Sequence, residues 1–140
     1  INSQSESGYY CRRKNMKIKT GVDIIEIYRI KESIENLEDK FINRIFTQEE
    51  IKYCESKGRQ KYQHYAARFS AKEAVFKAIS GFVDNKYSMD WKDIEVINDE
   101  NGRPKINLKS SENYDIESID ISISHCKEYA VASVVLIYNN

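Results

Sequence analysis

The chain has 140 residues, enough for one domain with its own core, and its 22 basic and 22 acidic residues cancel. That balance argues against a nucleic-acid binder relying on overall charge and leaves only a local basic patch open. Three cysteines (Cys11, Cys54, Cys126), odd in number and without CxxC spacing, argue against a disulfide framework or zinc site, and the longest apolar run, Ala130 to Ile137, is too short to span a bilayer. The expectation is a soluble protein of the reducing cytoplasm.

Residues 1–15 are polar, with a short Arg12-Arg13-Lys14 run, and read as a tag-derived or disordered leader before a domain over 16–140. Ile18 to Ile27, rich in Ile and Val, reads as a strand. Asp23 interrupts it; either it caps a local N–H at a strand end or bulge, or it is a metal ligand. Gly21 beside it would let another group approach closely. From Arg29 to about Leu37 the isoleucines keep helical spacing. Thr47-Gln48-Glu49-Glu50 is a capping box opening a helix to about Lys57, with Gly58 as its stop.

Lys61 to Ser80 is a long helical pattern with no proline or internal glycine. At roughly 100° per residue, Tyr62, Tyr65, Ala66, Phe69, Phe76 and Ile79 form one stripe, and Ala67, Ala71, Ala74 and Ala78 form another on the far side. A helix apolar on two sides is buried, and an alanine face permits close approach to a neighbouring backbone. Glu73 falls within the aromatic stripe, with Lys72 and Lys77 at its edges. It either pairs with Lys77 at i, i+4 or belongs to a carboxylate-and-cation set suited to a metal and phosphates.

Phe82 to Asp90 reads as loop, Trp91 to Asn98 as a strand, and Arg103 to Leu108 as its hairpin partner across an Asn-Gly turn. Lys109 to Glu117 reads as polar loop. Ile119 to His125 alternates, with three isoleucines and His125 on one face. Tyr129 to Tyr138 follows a tight turn, and its apolar run predicts a central strand buried on both faces. The order of elements implies an α+β fold, a mainly antiparallel sheet packed on one long helix plus shorter helices.

His125, taken alone, is a boundary histidine, and His64 lies outside the stripe without an assigned role. No GxxxxGK[ST], GxGxxG, GxSxG or HExxH pattern occurs. Asp23 and Glu73, without histidine or thiolate companions, suit a hard ion such as Mg²⁺ and a phosphate-containing substrate. Rival readings are a two-metal nuclease or phosphatase, which usually draws on more acidic ligands, and a coenzyme A or nucleotide-binding module without turnover.

Gly21-Val22-Asp23-Ile24-Ile25-Glu26-Ile27-Tyr28-Arg29-Ile30 and Arg68-Phe69-Ser70-Ala71-Lys72-Glu73-Ala74-Val75-Phe76-Lys77-Ala78 resemble the opening strand and hallmark helix of bacterial holo-acyl-carrier-protein synthases, the small type of phosphopantetheinyl transferase. Lesser matches follow in family order: Arg44-Ile45-Phe46-Thr47, Asp93-Ile94-Glu95-Val96, Asn101-Gly102-Arg103-Pro104, Ile121-Ser122-Ile123-Ser124-His125 and Glu128-Tyr129-Ala130. Two positions depart: Lys19 replaces a usual glycine, and Ser80-Gly81-Phe82 replaces a Gly-Thr-Gly-like turn.

The resemblance implies transfer of 4′-phosphopantetheine from coenzyme A to a serine of apo acyl carrier protein, in fatty acid biosynthesis, with release of 3′,5′-ADP. It implies Asp23 and Glu73 as Mg²⁺ ligands, Glu73 as base for the serine, and Lys77 as a phosphate contact. Arg68, Phe69 and Lys72 would seat the nucleotide end. Asn101, Gly102, Pro104, Ser124 and His125 would form a second wall, with His125 chemical or positional. Arg29 and Arg44 would meet the carrier protein. The family implies a homotrimer with sites between subunits, so that the second wall comes from a neighbouring chain.

Overall fold

The computed structural model describes residues 15–82, 89–109 and 111–139. The Arg12-Arg13-Lys14 run and most of the loop expected after Phe82 lie outside the described residues. Strand β1 (Met16–Glu26) runs directly into helix α1 (Ile27–Leu37), whose first N–H, that of Ile27, donates to Glu128 O at 2.8 Å. Ile27, Ile30 and Ile34 fall on one face of α1 and are buried. Glu38, at φ 52°, reverses the chain into α2 (Asp39–Ile45), a two-turn helix too short for periodicity to reveal.

The Thr47 capping box forms as expected. Thr47 Oγ1 accepts from Glu50 N at 3.3 Å, and Glu50 Oε1 accepts from Thr47 N at 2.9 Å. Helix α3 (Gln48–Glu55) ends two residues earlier than expected, and Gly58, at φ 59°, opens a 3₁₀ turn instead of closing the helix. Helix α4 (Lys61–Ile79) matches its predicted span. Trp91–Asp93 is a 3₁₀ turn capped by Asp90 Oδ1, so the following strand β2 covers only Ile94–Asn98. It pairs with β3 (Pro104–Leu108) as a separate antiparallel hairpin. Part of the expected polar loop is a 3₁₀ turn at Ser111–Tyr114, and β4 starts early, spanning Ile116–His125.

Strand β5 (Tyr129–Asn139) is central, giving the antiparallel order β1-β5-β4, and α4 packs across this sheet. One expectation is corrected here. Burial along β5 alternates: Ala130, Ala132, Val134 and Leu136 are buried, while Ser133 and Val135 are exposed. The strand is central but covered on one face only, because an apolar run does not reveal whether a second layer exists. The outer sheet face carries Ile18, Val22 and Ile24, which are 67%, 60% and 65% exposed. No helix among the described residues is long and apolar enough to cross a membrane.

Candidate active site

The contact between β1 and α4 sets the site. A Cβ added to Gly21 would stand 1.9 Å from Ala74 O and 3.0 Å from Ala78 N, so the strand lies directly on the helix backbone. The alanines of the helix and the glycine of the strand make that approach sterically allowed. Two residues on, Asp23 faces the same helix. Its Oδ1 accepts from Lys77 Nζ at 3.0 Å, and its Oδ2 accepts from Ser70 Oγ at 3.2 Å. Ser70 Oγ also lies 2.9 Å from the Asp23 carbonyl, and Lys77 Nζ donates to Val22 O at 2.9 Å.

Glu73 lies in the same cleft, an open hollow of about 360 Å³ lined by Asp23, Ile24, Ile25, Glu26, Arg29, Phe69, Glu73 and Tyr129. Partial burial pushes the Glu73 carboxyl pKa up, the Asp23 charge adds to that rise, and Lys77 opposes it. The ion pair formed by Lys77 is with Asp23 across to β1, not the i, i+4 pair with Glu73. Among the described residues no three His, Cys, Asp or Glu side chains gather as a metal-holding group. Of the three carboxylates lining the cleft, Glu26 pairs with Arg29 at 3.7 Å, which leaves Asp23 and Glu73, a donor set that matches Mg²⁺, since that ion ordinarily keeps several waters and one or two carboxylates.

The other candidates fall elsewhere on the chain. Arg68 is buried, its guanidinium 4.0 Å above the Tyr53 ring and its Nε without a hydrogen-bond partner. Tyr53 meets His64 edge-on at 5.5 Å, and His64 meets His125 at 6.1 Å. Burial lowers the His64 pKa, helped by Arg68, Lys57 and His125. Arg68, His64 and His125 thus form one group, while Asp23, Glu73 and Lys77 form another. Asn101 and Gly102 sit in the hairpin turn, where Gly102 has φ 78° and Asp99 Oδ1 accepts from Asn101 N and Arg103 N at 2.8 and 2.9 Å. Pro104 lines a separate hollow between the hairpin and β4. Ser124 and His125 end β4, and both are exposed. None of the five second-wall residues lines the Asp23–Glu73 cleft of the same chain. Arg29 lies on the rim of that cleft, and Arg44 is exposed on the last turn of α2.

Lys72 requires a correction. Placed by resemblance at the nucleotide end, it is fully buried and donates to Glu50 Oε1 at 2.7 Å, Trp91 O at 3.0 Å and Ile94 O at 2.6 Å. An ammonium has three protons to donate, and all three are committed. The sequence reading also missed Ser70 and Glu50. Ser70 stands four residues before Ala74 on a small-residue face, which hints at contact with the strand; nothing local marks Glu50 as more than a cap. The two departures from the family pattern are neighbours: Lys19 Nζ lies 3.2 Å from the Cβ position of Gly81.

Residues 19–134 match the family described as the 4′-phosphopantetheinyl transferase superfamily, and the chain belongs to it. Within that family its relatives carry a narrower name. A holo-[acyl-carrier-protein] synthase of Ruminiclostridium cellulolyticum is 45% identical over 126 residues, covering 86% of this chain and 92% of the relative. The one from Koribacter versatilis is 39% identical, covering 86% and 98%. Among solved structures, a holo-(acyl-carrier-protein) synthase from Bacillus anthracis in complex with CoA (3′,5′-ADP) superposes with a TM-score of 0.71 at 39% identity, covering 89% of this chain and 99% of that one. A Chronobacterium ammoniagenes ACPS-CoA complex gives a TM-score of 0.76 at 27% identity, with the same coverage.

Proposed function

We propose that this chain transfers 4′-phosphopantetheine from coenzyme A to a serine of apo acyl carrier protein and releases 3′,5′-ADP, serving fatty acid biosynthesis. The observation that carries this reading is the cleft at the β1–α4 contact, where Asp23, Glu73 and Lys77 converge beside Phe69. In the reaction, the serine oxygen bonds to the phosphorus next to pantetheine and the P–O bond to the bridging oxygen breaks. The electrons of that bond leave with 3′,5′-ADP. Glu73 takes the serine proton; a carboxyl whose pKa is raised by burial and by Asp23 suits that work.

Asp23 and Glu73 would hold Mg²⁺, whose charge would offset the repulsion between them. Once bound, the ion would neutralise charge on the diphosphate. Lys77, half-exposed and tethered to Asp23, would reach phosphate oxygens. Phe69 contributes an apolar wall to the cleft. The exposed His125 would serve a phosphate at the nucleotide end, with the charge of the buried Arg68 behind it through His64. Asn101, Gly102, Pro104 and Ser124 would join His125 as the wall given to the next subunit. Arg29 and Arg44 would face the acidic carrier.

The uncovered sheet face supports assembly as a homotrimer with sites between chains: Ile18, Val22 and Ile24 of β1 and Val135 of β5 are exposed together. Light scattering at micromolar protein should give the trimer mass, and a monomer there would remove the shared-site picture. Incubation with coenzyme A, Mg²⁺ and apo carrier protein tests the chemistry. The carrier should gain the mass of phosphopantetheine, and an unmodified carrier would overturn the reading.

A further inference from the structure

Lys72 sits in the middle of the helix motif, yet its ammonium is closed to any ligand. What it holds can be followed outward. Glu50, equally buried, receives Lys72 and Thr47 N on Oε1 and Val96 N on Oε2 at 2.9 Å. One charge pair therefore ties the start of α3, the middle of α4 and strand β2. If neutralising Glu50 were the whole task, one bond would suffice. The other two bonds run to the carbonyls of Trp91 and Ile94, at either end of the 3₁₀ turn that leads into the hairpin.

The Trp91 ring stacks on Phe69 with centroids 5.2 Å apart and 21° between planes, and it meets Phe76 edge-on at 5.1 Å. These two phenylalanines stand four residues before and three after Glu73, one on each side of it along α4. Phe69 also lines the cleft that contains Asp23 and Glu73. We propose that Lys72 is a positioning residue: by holding the Trp91 carbonyl it places the Trp91 ring, and through it the Phe69–Phe76 wall that fixes Glu73 in the cleft. It contacts neither coenzyme A nor the carrier. The kinetic part of this inference rests on the transferase reading, while the placement of Trp91 is measurable without it.

Trp91 is the single tryptophan, so its fluorescence reports on this wall alone. The test compares wild type with Lys72→Met/Glu50→Gln, which removes both buried charges together, after thermal unfolding has confirmed that each is folded. The variant should show red-shifted emission and stronger acrylamide quenching. Its kcat should fall about tenfold with KM for coenzyme A within about twofold, because a displaced reacting group alters turnover more than ground-state binding.

Phe69→Leu, which cuts the chain at its other end and leaves the Lys72–Glu50 pair intact, should give the same emission change and the same kcat loss. If the double variant does not fold, Lys72→Arg decides the matter by the same two readings, because it keeps a charge beside Glu50 but its planar guanidinium cannot reproduce the three ammonium bonds. Emission unchanged from wild type overturns the proposal whatever the kinetics. So does a shifted emission with wild-type kcat, or a loss confined to KM for coenzyme A, which would mark a direct ligand contact. If wild type itself modifies no carrier, the transferase reading fails, and the emission comparison still decides whether Lys72 holds Trp91.

Discussion

Gly21→Ala would place a methyl group where the carbonyl oxygen of Ala74 already stands. The ideal Cβ position is 1.9 Å from that oxygen and 2.9 Å from its carbon, against an ordinary contact of 3.4 Å or more. Relief therefore needs a separation of about 1.5 Å between two backbones, since no side chain can rotate away. Neither partner yields easily, because β1 is paired to β5 along its length and α4 is continuous from Lys61 to Ile79. Overpacking of this kind should cost about 3 kcal/mol and lower Tm by roughly 10 °C. The same displacement moves Asp23, two residues along, away from Glu73, next to Ala74, so turnover should fall roughly a hundredfold. Differential scanning calorimetry and a carrier-modification assay on the same preparation give both quantities. Gly58→Ala is the control. Gly58 has φ 59° and nothing within 4 Å of its Cβ position, so it should show only left-handed strain of about 1 kcal/mol and normal turnover. A Gly21→Ala protein with wild-type Tm and turnover would refute the argument that strand and helix meet backbone to backbone.

Glu73→Gln should abolish most turnover, by at least about a hundredfold, yet leave Tm equal or higher. A carboxyl with its folded pKa raised contributes stability only at low pH and loses it as pH rises through that value, so removing the charge relieves the neutral-pH fold. A lowered Tm would contradict that assignment. Arg29→Glu should raise KM for the carrier about tenfold and leave KM for coenzyme A within about twofold; equal effects would deny it a docking role. The His64 pKa is lowered from 6.5, so its neutral form's stability is fully present above pH 6.5 and lost as pH falls through the lower folded value. His64→Phe should flatten the dependence of denaturation midpoint on pH from about 7.5 to 5, and an unchanged slope would assign that titration to another group.

The parts of the fold that could be read in the sequence are those whose cause is local. The Thr47–Glu50 box, the uninterrupted α4 and the separate close-approach signals of Gly21 and of the alanine stripe are each written within a few residues, whereas the meeting of strand and helix is seen only in the fold. Asp23 stood out because an acid is poorly suited to an apolar strand, and Glu73 because it breaks an aromatic stripe. Lys72 gives no such signal, for the converse reason. Lysine is rarely buried, and its partner Glu50 lies 22 positions away, already explained as a cap. The Asp39–Ile45 helix is too short to show a period, and the turn at Trp91 is continuous in pattern with the strand it precedes. The one-sided burial of β5 had no local signal at all, since its outward valines look the same whether or not another layer covers them.

Strand β5 carries none of the residues assigned to chemistry, yet both flanking strands are indexed against it. Asp23 stands opposite Ala132, and His125 stands opposite Ala130. The offset between these two positions along the sheet is thus counted out on an inert ruler of two residues, about 7 Å. Substitutions on β5 leave that count intact, whereas deleting one residue between Ala130 and Ala132 would turn one flanking strand over relative to the other. Engineered variation along β5 should accordingly be tolerated where the outward face stays apolar, and not where the length of the strand changes.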